Sequence, residues 1–172
     1  MTLWIFKQLR KLIQALESGQ NPNQLAGGFV FGLLIGLPPF YWGYQLLLIL
    51  IMLIIDVHIG MAVFGFALFS TFSFLLDPLT HYIGHYFLVD AEMTSFWIMV
   101  YQLPYLPYTY FNNTVMLGSI ILSLILLLPC FIGFKKFIPF YLNEIKPRIE
   151  KMKIVKAIKG SALAQWYDRI AT

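Results

Sequence analysis

NNTVMLGSIILSLILLLPCFIGF, residues 112–134, runs for 23 residues without a charge and meets Lys135 and Lys136 at its end. A helix rises 1.5 Å per residue, so this run covers the roughly 30 Å of a bilayer's hydrocarbon core. Lys and Arg mark the cytoplasmic side of such segments. The rest of the sequence is organised around this one span.

All 12 Lys and Arg fall in two flanks, Lys7, Arg10 and Lys11 at one end and Lys135 onward at the other. Residues 12–134 hold only acids, namely Glu17, Asp56, Asp77, Asp90 and Glu92. Both ends are therefore expected in the cytoplasm, with an even number of crossings. The composition agrees, with 59% hydrophobic and 12% charged residues, where soluble domains carry about 25% charged. The fold class read from this pattern is all-α, a polytopic transmembrane helical bundle with amphipathic interfacial helices at both ends. The basic residues border apolar spans instead of covering a folded face, so nucleic acid is not an expected partner. Cys130 is the single cysteine, which excludes a disulfide within one chain.

Three regions follow. Residues 1–20 read as a basic interfacial helix, with Ile5, Leu9, Leu12 and Leu16 at helical spacing and Lys7, Lys11 and Gln14 opposite. Basic residues lie inside that apolar pattern, which does not suit a signal peptide. Residues 21–134 read as the membrane domain, with about four crossings: 24–38 outward, 40–56 inward, 59–76 outward and 112–134 inward. Residues 78–111 form an outer aromatic segment of two short helices, about 78–89 and 93–103, then a Pro/Tyr loop. Residues 135–172 read as a basic amphipathic cytoplasmic tail, with Ile145, Ile149 and Met152 on one face. Both basic ends are expected to meet anionic lipid headgroups.

Several side-chain patterns bear on function. Gly28, Gly32 and Gly36 recur every four residues, as in a helix-packing seam, with Leu34 off that face. Pro38 and Pro39 break the helix, either as a tight outer turn or as the tip of a re-entrant element lining a cavity. Asp77, His81 and His85 repeat at i, i+4 and i+8. That stripe suits a polar or metal site, with two His one turn apart and a carboxylate beyond them. The simpler reading makes Asp77 the N-cap of a helix whose first residue is Pro78. Asp56 and His58 read as a short cytoplasmic turn. Asn112, Asn113 and Thr114 fit a glycosylation acceptor, and better a helix cap before the last span. No phosphate loop, nucleophile elbow or Cys/His cluster occurs, so no catalytic residue and no cofactor is expected.

Three stretches carry a resemblance. Asn23-Gln24-Leu25-Ala26-Gly27-Gly28-Phe29, continuing to Gly32 and Gly36, resembles the entry motif of a bacterial domain-of-unknown-function family of small inner-membrane proteins. Leu76-Asp77-Pro78-Leu79-Thr80-His81 and the Phe-Asn-Asn-Thr run from Phe111 to Ser119 resemble internal motifs of that family's longer branch. The resemblance implies a multi-pass protein of the bacterial inner membrane. It also implies a larger membrane-anchored envelope protein as partner, because genes of that branch commonly neighbour one. The expected function is a non-enzymatic docking component, in lipid transport or envelope homeostasis. The alternative is a transporter or channel-like element using the Gly/Pro hairpin and intramembrane Asp and His residues. A membrane metalloenzyme at Asp77, His81 and His85 is the third reading.

Overall fold

The computed structural model describes residues 21–90 and 93–147. The interfacial helix expected over 1–20, Glu92 and the tail beyond residue 147 lie outside the described residues. The chain divides into two compact units, Met1–Lys135 and Lys136–Thr172. Described residues up to Lys135 lie in the first unit.

The described chain is all-helical, without strand. Helix α1, Pro22–Gly36, starts where Asn21 accepts a bond from the Asn23 N–H at 3.0 Å and where Pro22 supplies a preset φ. It ends before Pro38 and Pro39. Helix α2, Trp42–Ile54, returns alongside it. Helix α3, Ile59–His85, is 27 residues long and runs on through one π-helical turn, Tyr86–Asp90. A short α4, Thr94–Tyr101, and a 3-10 turn, Leu106–Thr109, make up the aromatic segment. Helix α5, Thr114–Phe140, carries the run that opened the sequence reading.

Two sequence boundaries are corrected. The third span does not stop at Asp77, because Pro78 lies inside α3. Proline there removes one bond, to the Phe74 carbonyl. The Thr80 hydroxyl bonds the Asp77 carbonyl at 3.0 Å, and packing of Thr80 and Gly84 against α5 keeps the helix going beyond the proline. Asp77 is thus mid-helix and not an N-cap. The last helix likewise does not stop at Lys135 and Lys136, since α5 continues to Phe140. Lysine ends an apolar run without ending a helix.

Ten of the fifteen residues of α1 are buried, Leu34 among them. The sequence reading placed Leu34 off the packed face, but α1 is enclosed on almost every side. Gly32 explains the closest approach. A Cβ there would stand 2.5 Å from the Ala62 carbonyl oxygen and 2.5 Å from the Phe66 nitrogen, so only glycine lets the two backbones meet. Gly28 faces His58 and Met61, and Gly36 faces Phe66, so α1 and α3 run parallel. Phe29 anchors the core, stacked on Phe134 of α5 with centroids 4.2 Å apart and packed on Phe69 at 5.3 Å.

The remaining surface is the reverse. Gln45 is the single buried residue of α2, while Leu46, Leu50, Leu53 and Ile54 are exposed. Ile59–Val89 and Thr114–Ile145 are each long and apolar enough to cross a membrane, at 31 and 32 residues. Only 17% and 28% of their most apolar windows is buried, which is the opposite of the core helices of a water-soluble protein.

Candidate functional site

Two motifs far apart in sequence meet where α3 crosses α5. A Cβ on Gly84 would strike the Thr114 carbonyl, and one on Gly118 would strike the Thr80 carbonyl. Thr80-x-x-x-Gly84 and Thr114-x-x-x-Gly118 are thus paired small-residue patterns, one on each helix, whose backbones touch. Thr80 is buried, and so is Ser119, whose hydroxyl donates to the Val115 carbonyl at 2.6 Å. Across the same crossing, His81 Nδ1 lies 2.7 Å from Thr114 Oγ1. Asn113 caps α5, its Oδ1 accepting the Met116 N–H at 3.1 Å. Thr114 therefore has two uses: its backbone seats Gly84 and its hydroxyl holds His81.

Asp77, His81 and His85 do not converge. All three are exposed along α3, and the two imidazole centroids are 6.0 Å apart. Among the described residues, no three His, Cys, Asp or Glu side chains gather closely enough to hold a metal ion.

The break between α1 and α2 is closed by a residue that the sequence reading passed over. Gln45 Nε2 donates to the Pro39 carbonyl at 3.0 Å, and its Oε1 accepts the Tyr41 N–H at 3.0 Å. One buried amide thereby fills two backbone groups that the prolines left without helical partners. The available signal was a lone amide in an otherwise apolar run. Above the break, Tyr41 stacks on Tyr110 with centroids 4.4 Å apart, and Gly43 takes the Tyr108 carbonyl where a Cβ would sit. Tyr110 adopts the left-handed conformation, with φ 57°, which turns the chain from the 3-10 segment towards Asn113 and α5. Tyr44 is hydrogen-bonded to Ser123, whose hydroxyl donates to the Ile120 carbonyl at 2.8 Å, tying α2 to α5.

At the opposite end of α1, the Gln24 amide donates to the Asp56 carboxylate and the Gln24 carbonyl accepts the His58 N–H at 3.1 Å. His58 Nδ1 accepts the Met61 N–H at 3.0 Å, which places the neutral ring's proton on Nε2 and caps α3. Asp56 and His58 therefore hold the start of α1 to the start of α3.

The aromatic segment encloses an open cleft of about 390 Å³, lined by Leu88, Trp97, Ile98, Tyr101, Phe111 and Asn112. Trp97 fixes its back wall, donating from Nε1 to the Phe87 carbonyl at 2.7 Å and stacking near Phe111. The chemistry on offer is apolar and aromatic contact with a few uncharged polar groups at the edge.

Over residues 7–144 the chain matches the family described as "Uncharacterized protein conserved in bacteria (DUF2062)". No curated protein and no solved structure matches it.

Proposed function

The chain belongs to this bacterial family, and we propose that it serves there as a multi-pass inner-membrane component that docks a larger envelope protein and is not an enzyme. In this reading α3 crosses outward and α5 inward, with both ends in the cytoplasm beside the basic flanks. The sequence alone led to four crossings. The helix register favours two crossings and a half-depth hairpin. Gly36, the last residue of α1, lies against Phe66, 19 residues short of the end of α3 at His85. The tip at Pro38 and Pro39 then stays within the bilayer, where Gln45 and the tyrosines cover it.

The observation that carries docking is a set of exposed tyrosines. Tyr82 of α3 is 73% exposed, and Tyr105 and Tyr108, in the segment that follows α4, are 80% and 68% exposed. Tyrosine is enriched at protein interfaces, because it adds contact area and a hydroxyl at small entropic cost. The transporter alternative needs polar groups left open at the helix break, and Gln45 fills two of them. Mild detergent extraction tests the reading. A discrete envelope protein is expected to co-purify with the wild-type chain. Its recovery should fall at least about tenfold in a Tyr105→Ala, Tyr108→Ala double variant with unchanged melting. Undiminished recovery, or ion flux through reconstituted liposomes, would refute it.

A further inference from the structure

Asp77 is the single charged residue of the 31-residue apolar stretch Ile59–Val89. Its side chain is exposed, and among the described residues nothing pairs with its carboxylate. Thr80 and Gly84 meet Gly118 of α5, so Asp77 lies on the inward side of that crossing. There it is level with the uncharged run of α5 that continues to Phe134. Among the described residues, none supplies a counter-ion at that depth. Residues 12–134 contain no Lys or Arg. Lys135 follows Phe134, which stacks on Phe29 at the level of Phe64 and Phe69, about 12–20 Å along the axis from Asp77. A charged side chain inside a membrane faces a partner group or a water-filled cavity.

The face around Asp77 suits a helix. Ser70, Ser73 and Asp77 recur three and four residues apart. The hydroxyls of Ser70 and Ser73 are turned onto the helix's own Ala67 and Ser70 carbonyls, leaving a low, small-residue surface on which another backbone can settle. Building on the docking role proposed above, we propose that this face of α3 receives a transmembrane helix of the partner, and that this helix brings a Lys or Arg to the Asp77 carboxylate. The pair neutralises a charge that is costly for either helix to carry in lipid alone, which favours the assembled state.

The test uses the full chain, reconstituted in phosphatidylcholine liposomes, and synthetic Leu/Ala helices of about 20 residues carrying a central Lys, Leu or Glu. Association is read by energy transfer between fluorophores. The Lys helix should associate roughly tenfold more tightly than the Leu helix, a difference of one decade in affinity. Asp77→Asn should erase that preference, while Asp77→Glu, which keeps the charge, should retain it. Equal binding of the Lys and Leu helices overturns the proposal. Persistence of the preference in Asp77→Asn does so too, since a neutral hydrogen bond would then suffice. Should labelled copies of the chain associate through Asp77 without competition from the Lys helix, the occupant is a second copy and the proposal falls. The two readings fail separately. A charge-blind probe beside an envelope protein that still co-purifies removes this pairing and leaves docking intact. A Lys-selective probe with no co-purifying protein removes the docking role.

Discussion

A single methyl group has opposite consequences at two glycines. Nothing lies within 4 Å of a Cβ on Gly133, so Gly133→Ala should stabilise α5 by about 0.5–1 kcal/mol through backbone entropy. At Gly84 the same methyl meets the Thr114 carbonyl, and Gly84→Ala should cost about 1–3 kcal/mol. Thermal melting in detergent reads both signs in one experiment. Gln45 offers a second case. Gln45→Leu leaves the Tyr41 N–H and the Pro39 carbonyl without their buried partner, at about 1–3 kcal/mol for each unsatisfied group. Gln45→Glu keeps an acceptor for Tyr41 but no donor for Pro39, so its melting point should fall between wild type and Gln45→Leu. Capping by Asn113 was legible from residue type alone, because a short amide before an apolar run has few other uses. Gln45 was not legible, since its partners are carbonyl and amide groups whose exposure depends on how the prolines turn the chain.

The same contrast holds for whole helices. The break at Pro38 and Pro39 and the apolar run of α5 could be read directly, because proline and charge act locally. The end of α3 could not. Asp77-Pro78 has the local signature of a helix start, and contacts with Thr114 and Gly118, more than 30 residues away, override it. Since Asp77 caps nothing, Asp77→Ala in the isolated chain should leave the melting point unchanged, without the roughly 0.5–2 kcal/mol that a lost N-cap costs. A drop of that size would show that α3 is divided at Pro78. On the other seam, Gly32→Leu forces α1 away from Ala62 and Phe66 and should lower folded yield sharply. Leu50→Ala, on the exposed side of α2, should be nearly silent in the same yield assay. The glycine spacing announced a seam but not its partner: three glycines four apart fix a face, and only the fold says that α3 lies on it.

At the scale of the molecule, the proposed half-depth hairpin makes a labelling prediction. In a Cys130→Ser background, Tyr105→Cys should react with an impermeant maleimide from outside spheroplasts and Ile55→Cys only after lysis. Phe40→Cys, at the hairpin tip, should stay unreactive from both sides. Ready labelling of Phe40→Cys from outside would restore four full crossings. The two basic flanks are read from the sequence itself; the offset between α1 and α3 was not legible, since it follows from contacts such as Gly36 against Phe66. That offset also sets an order of events during synthesis. The α1 seam closes on residues 58–66, so Gly36 leaves the ribosome 30 residues before its neighbour Phe66. At about 5–20 residues per second this gap lasts about 1.5–6 s. Through that interval the 15-residue α1 has its backbone-contact face without α3. The hairpin is finished by the helix made after it, so the chain is made in one order and packs in another.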